Sequence, residues 1–272
     1  MVTFEHKFFQ YQDIKLEYVE YLNKNSNQNI LLVHGFSSDY THFEKFIDEF
    51  ANFNIFSISM PAHGNSEGKQ ELMTEIVCMD ILIKFIETLN LNNLIIIGHS
   101  MGGGITMMAL PNIVNRVSKI ILIGPQNRTS LSRVEAFKET FFPRNVEEYK
   151  KLVKLLYFEP NKIINNVNLM NTLDHYFKNN KEKLDLVYQL GDNLPDLKNF
   201  DLMDKGNELW KNKPILLVYG EADGIIDLAK IEAYFEERFT KLQILKVSKA
   251  GHSPWIENYQ EFISPFKKFI NE

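Results

Sequence analysis

The 272-residue sequence has a single cysteine, Cys78. One thiol cannot form an intrachain disulfide, so a disulfide framework is excluded and a reducing compartment is expected. Cys78 lies in the apolar run Ile76-Val77-Cys78-Met79 and reads as a core residue rather than a nucleophile, because a free buried cysteine behaves as a small hydrophobe. Long apolar runs are also lacking. No stretch of about 18 apolar residues occurs, which excludes a membrane-spanning helix. The segment Met1-Val2-Thr3-Phe4-Glu5-His6 has neither a basic nor an apolar leader region, so a cytoplasmic protein is expected. Basic charge is not in surplus: 30 Lys and Arg face 35 Asp and Glu, a net charge of -5. The basic residues are scattered, which argues against nucleic acid as a partner. The seven histidines are dispersed and no H-E-x-x-H occurs, so no metal site is expected.

What is present is ordinary globular material. Hydrophobic residues make up 44%, enough for a sizeable core in one large α/β domain. Ile14 to Tyr21 alternates apolar and polar residues and reads as a half-buried strand. Ile30-Leu31-Leu32-Val33, Asn54 to Ser59, Leu94-Ile95-Ile96-Ile97 and Lys119 to Ile123 are short apolar runs, as in parallel strands covered on both faces. Phe43 to Phe50, Leu72 to Leu89 and Ile105 to Leu110 read as the helices between them. This alternation predicts a mostly parallel sheet with crossover helices. It stops after Pro125. Residues 126–208 read as a helical insertion, with periodic stretches at Val146 to Tyr157 and Leu184 to Leu190. Strands resume at Pro214 to Gly220 and Leu242 to Val247, and a helix follows from Tyr259 to Ile270. The core is therefore expected in two parts, 1–125 and 209–272.

Gly98-His99-Ser100-Met101-Gly102 fits the pattern G-x-S-x-G. Five residues are a weak signal alone. Here they follow an apolar strand and precede a helix, whose free N–H groups and positive dipole end suit a developing oxyanion. On these residues the chain resembles the α/β-hydrolase superfamily, in its capped, esterase-like branch. The resemblance implies an α/β-hydrolase fold and a nucleophilic serine at Ser100. It places the base at His252, in Gly251-His252-Ser253-Pro254 after the last strand. It places the acid at Asp223, in Gly220-Glu221-Ala222-Asp223-Gly224, in the family order Ser, Asp, His. Glu221 and Asp227 are competing carboxylates. Gly124-Pro125-Gln126-Asn127, where some family members carry the acid, offers none. His34-Gly35-Phe36 resembles the family's H-G-x segment, which implies that the backbone N–H groups of Phe36 and Met101 form the oxyanion hole, while the ring of His34 braces the loop. His99 is expected to pack or hydrogen-bond beneath the turn. Met60 to Ser66 resembles D-x-x-G-x-G-x-S but has Met60 where Asp is usual.

The resemblance implies cleavage of a small or medium acyl ester through a Ser100 acyl-enzyme, with a small-molecule ester as partner and no cofactor. Thioesterase, proline-type aminopeptidase, monoacylglycerol lipase and C–C hydrolase chemistry all use the same serine, and a non-catalytic binding module is the reading from another class. The insertion carries Phe137, Phe141, Phe142, Tyr149, Tyr157, Phe158, Tyr176 and Phe177, which either line an acyl pocket or pack the insertion on the core. His175 reads as a solvent-facing or packing residue rather than a substrate contact, and Trp255 is assigned to neither.

Overall fold

The computed structural model describes residues 2–272, and among these eight strands form one sheet. They are β1 (Glu5–Tyr11), β2 (Ile14–Tyr21), β3 (Asn29–Val33), β4 (Asn54–Ile58), β5 (Leu94–His99), β6 (Val117–Ile123), β7 (Ile215–Gly220) and β8 (Leu242–Val247). Their spatial order is β1-β2-β4-β3-β5-β6-β7-β8. β2 runs antiparallel to β1 and β4, and every other neighbouring pair is parallel. α1 (Glu44–Ile47) follows β3, α2 (Glu75–Thr88) follows β4 and α3 (Met101–Ile113) follows β5. Between β6 and β7 run α4 (Val134–Thr140), α5 (Val146–Leu156), α6 (Pro160–Ile164), α7 (Val167–Asn179), α8 (Lys181–Asp192) and α9 (Leu197–Trp210). α10 (Ile231–Glu236) joins β7 to β8, and α11 (Pro254–Glu257) and α12 (Tyr259–Asn271) come after β8. This is an α/β-hydrolase fold, as the sequence implied.

The apolar runs are unbroken because both faces of the sheet are covered. Successive side chains point to opposite faces. Ile96, Leu122 and Leu217 pack with Leu82 of α2, Ile105 of α3, Phe200 of α9 and Phe235 of α10. Ile97, Ile121 and Val218 pack with Phe46 of α1, Trp255 of α11 and Phe262 and Phe266 of α12. Cys78 is fully buried in the first of these layers, and burial pushes its thiol pKa up, as expected of a core residue.

Three local readings differ from the sequence pattern. β2 is covered on both faces, because the loop carrying Asn65 sits on it. Its buried Glu17 accepts from the Asn65 backbone N–H at 2.8 Å and from Asn65 Nδ2 at 2.7 Å. The stretch Phe43 to Phe50 is broken, with only Glu44–Ile47 α-helical between two 3-10 turns. α2 starts at Glu75 rather than Leu72, since extended Thr74 caps it and its Oγ1 accepts from Val77 N.

The last helix between β6 and β7 differs in placement from those before it. α9 lies against α3, with Phe200, Met203 and Trp210 buried. It completes the helical layer on that face, and residue 208 falls inside it. Residues of α4, α5, α7 and α8 instead wall the cavities at the ends of the strands.

Candidate active site

Parallel strands bring the loops that follow β3, β5, β6, β7 and β8 to one edge of the sheet, where ligands bind in open α/β folds. Ser100 stands between β5 and α3 with φ 54° and ψ -122°. A non-glycine residue in that region is strained by about 1–3 kcal/mol and persists only if its surroundings fix it. They do. Ser100 N–H donates to Ile123 O at 2.9 Å, and its carbonyl accepts from Gly103 N at 2.9 Å and Gln126 N at 3.0 Å. Gly102 has a steric reason to be glycine, because a Cβ there would lie 2.2 Å from Val33 O.

His252 and Asp223, 29 residues apart, meet behind this turn. His252 Nδ1–H donates to Asp223 Oδ2 at 2.7 Å, and both residues are buried. The second carboxylate oxygen accepts from Ile225 N at 3.0 Å. His252 Nε2 has no hydrogen-bond partner among the described residues, and His252 and Ser100 line the same two cavities. The competing carboxylates are engaged elsewhere. Glu221 accepts from Lys249 N at 2.8 Å, and Asp227 accepts from Ser132 Oγ at 2.8 Å. Gly124, with φ +49°, faces the pair: a Cβ there would lie 3.0 Å from His252 Nδ1 and 3.1 Å from Asp223 Oδ2. In the sequence Gly124 marks only the end of a strand, and nothing local signals this role.

The loops carrying His252 and Asp223 are also held from the helical side. His252 N–H donates to Leu156 O at 2.7 Å, and Gly224 N–H donates to Leu155 O at 3.2 Å. Both carbonyls belong to the last turn of α5.

Other histidines surround the site as neutral rings. His99 Nε2–H donates to His252 O at 3.0 Å, which leaves Nδ1 unprotonated, buried and unpartnered among the described residues. Burial, then the neighbouring His252 and His42, hold His99 well below the usual histidine range. His42 Nε2 lies 3.0 Å from Ser253 Oγ, and burial lowers its pKa to about 4. The rings of His42, His99 and His252 form a row, with centroids 5.0 and 4.7 Å apart. Trp255 is buried beside them and donates from Nε1 to His42 O at 2.9 Å.

Two more histidines hold the Phe36 loop. His34 donates from Nδ1 to Gly35 O at 2.8 Å and accepts at Nε2 from Met60 N at 3.0 Å, so its ring braces this loop. His63 donates from Nδ1 to Pro61 O and accepts at Nε2 from Ser37 N at 3.1 Å. Burial lowers the His63 pKa to about 3. Met60 is buried, so the position where Asp is usual packs into the core. Phe36 lies on the cavity wall, and Met101 is the first residue of α3, where an N–H has no intrahelical acceptor.

Two cavities meet at Ser100. The larger, about 480 Å³, is walled by Tyr149, Tyr157, Tyr176, Phe177 and Tyr188 and edged by Ser37, Asp39 and His42. The smaller, about 50 Å³, is walled by Phe137, Phe141, Val134, Leu194 and Ile226. The aromatic residues of 126–208 thus divide between the two sequence readings. Phe142 packs on Phe36 and Tyr188, while Phe158 and His175 are exposed. Gln126 also lines the smaller cavity, and behind it lies fully buried Glu75. Glu75 Oε2 accepts from Asn199 Nδ2 at 2.7 Å. Burial raises its pKa to about 7, and the hydrogen bond from Asn199 works against that rise.

The family model described as the alpha/beta hydrolase fold matches residues 28–259. The chain is 26% identical over 256 residues to "Putative esterase/lipase 2" of Mycoplasma genitalium, covering 90% of this chain and 92% of that protein. It resembles a solved structure titled as a putative lipase from Acinetobacter baumannii, with TM-score 0.85 and 20% identity over 98% of this chain and 91% of that one. It also resembles the 2-hydroxy-6-oxo-6-phenylhexa-2,4-dienoate hydrolase of Rhodococcus, with TM-score 0.79 and 16% identity over 100% of both chains. At these identities the solved structures speak for the fold alone.

Proposed function

This chain belongs to the alpha/beta hydrolase fold family, and from that membership we propose that it is a serine hydrolase of the carboxylesterase type, acting on small or medium acyl esters. The observation that carries the reading is the Asp223–His252 pair, joined at 2.7 Å, with His252 Nε2 left without a partner and Ser100 on the walls of the same cavities. The esterase/lipase name of the Mycoplasma relative supports the same chemistry.

In this reading Ser100 Oγ attacks the ester carbonyl carbon as its proton passes to His252 Nε2. Asp223 fixes the His252 tautomer and stabilises the imidazolium that forms. The N–H groups of Phe36 and Met101 receive the negative oxygen, each worth about 3 kcal/mol in the transition state. The tetrahedral intermediate collapses, the alkoxide leaves with the proton from Nε2, and the acyl group remains on Ser100. Water then attacks the acyl-enzyme with His252 taking its proton. Collapse releases the acid and returns that proton to Ser100 Oγ.

The helical residues between β6 and β7 act as the cap in this proposal. Cavity size assigns the two ends of the ester. The acyl group must stay in place while the alcohol departs and water enters. The narrow cavity therefore holds the acyl chain, and the large, partly polar one receives the alcohol.

Hydrolysis of 4-nitrophenyl butyrate and labelling by a fluorophosphonate test the reading. Ser100→Ala is expected to abolish labelling and reduce kcat by roughly 10⁴-fold or more. Undiminished hydrolysis in that variant would refute the mechanism, and a folded protein that neither labels nor hydrolyses esters would favour the binding-module reading.

A further inference from the structure

The smaller cavity has a charge that its apolar walls do not explain. Arg133 stands on its wall beside Ser130, and none of its lining residues is acidic. Arg128, Arg144 and Arg238 each pair with a carboxylate. Arg133 has no carboxylate within 4.0 Å among the described residues, and its recorded bond is a long one, from Nε to Ile226 O at 3.3 Å. Asp227, next along the chain from Ile226, is already engaged by Ser132 Oγ at 2.8 Å and Lys230 Nζ at 3.2 Å. The guanidinium has further donors, and its fork matches a carboxylate in two parallel hydrogen bonds. Ser130 Oγ accepts from Asn127 N at 3.2 Å, which leaves its hydroxyl proton to donate. One wall of the cavity thus offers donors and positive charge, in addition to the polar groups of Ser100, Gln126 and His252.

We infer that the acyl chain held in this cavity is short and ends in an anionic group received by Arg133, so that the substrate is a monoester of a short dicarboxylic acid. The inference rests on the reading of Ser100 as the residue that is acylated. Length follows from volume: about 50 Å³ has room for roughly four water-sized groups. Apolar walls suit the methylene chain, and Arg133 with Ser130 suits its terminal carboxylate. A neutral acyl chain of the same length would offer the guanidinium no counter-charge.

Two esters with the same five-carbon chain separate the terms, 4-nitrophenyl pentanoate and mono-4-nitrophenyl glutarate. At pH 7.5 and low salt, kcat/KM for the glutarate is expected to exceed that for the pentanoate by roughly tenfold or more. Arg133→Gln should collapse this ratio, mainly through a rise in KM for the glutarate, and Arg133→Lys should restore part of it. Added salt should weaken the preference in the intact protein. A preference for the pentanoate, or a ratio unchanged by Arg133→Gln, overturns the assignment of Arg133 while leaving Ser100 chemistry intact, since pentanoate hydrolysis lost in Ser100→Ala reports on that chemistry alone. No Ser100-dependent turnover of either ester overturns both.

Discussion

His99 and His252 lie 153 residues apart, yet one hydrogen bond of 3.0 Å joins the ring of the first to the main-chain oxygen of the second. The residue before the proposed nucleophile therefore holds the loop of the proposed base. His99→Leu is expected to lower kcat by roughly ten- to a hundredfold, because small misplacements of reacting groups are costly. It should also destabilise the fold by about 1–3 kcal/mol, since a buried carbonyl loses its donor. His99→Gln, which can donate to the same oxygen, should recover part of both. Steady-state kinetics with urea melts of the three proteins decide it, and wild-type kcat in His99→Leu would refute the positioning role.

Asp223 competes with Glu221 and Asp227 as the acid. Asp223→Asn should reduce kcat by about 10³–10⁴-fold, because an amide favours the wrong histidine tautomer. Glu221→Gln and Asp227→Asn should stay within a few-fold of the parent on a neutral ester. A comparable loss in either would move the acid to that residue.

Gly124 is predicted to be intolerant of a single methyl group. In Gly124→Ala the added carbon would stand 3.0 Å from His252 Nδ1 and Cε1, at φ +49°. Backbone strain there costs about 1–2 kcal/mol. The larger effect should fall on kcat, by around a hundredfold, as the pair is pushed out of line. An equal loss of stability and no loss of kcat would show that the pair yields freely.

Stability should respond to pH through two opposed sets of groups. Buried His63 and half-buried His42 have pKa values lowered to about 3 and about 4, against 6.5 in an unfolded chain. As pH falls below 6.5 the unfolded chain takes up protons that the fold refuses, so their contribution is full above 6.5 and is lost towards pH 4 and below. Glu75 works the other way. Its pKa is raised to about 7 against 4.5, so its contribution is full below pH 4.5 and is lost as pH rises through 7. Glu75→Gln keeps an acceptor for Asn199 and removes the ionisation. The Tm of this variant relative to the parent should climb between pH 4.5 and 7 and then level off. A difference that stays constant over that range would show that Glu75 is ionised in the fold.

The sequence was most legible where structure is local or periodic. β3, β5, β6 and β7 are apolar runs because helices cover both faces, and burial needs no finer pattern than that. The turn at Ser100 is legible because strand, glycine, serine and helix are contiguous. β1 is not distinguishable from β2 by pattern, since its Phe8 is exposed at the sheet edge and its charged residues obscure the period. Nothing before α9 distinguishes it from its neighbours, because its place beside α3 is decided by tertiary packing. His42, Gly124, Glu75 and Arg133 carry no local signal for the same reason: each matters through a partner distant in sequence. The partners that set Glu221 and Asp227 apart from Asp223, Lys249 N and Ser132 Oγ, are likewise met only in space.

The bonds from His252 and Gly224 to the last turn of α5 give the helical segment leverage over the strand-edge loops. The last carbonyls of a helix have no intrahelical donor, and here two of them are satisfied by the main chain of the His252 and Gly224 loops. A displacement of α5 would be transmitted through these two bonds to the loops of His252 and Asp223. Leu156 also lines the large cavity, so the end of α5 joins that cavity's wall to the loop carrying His252.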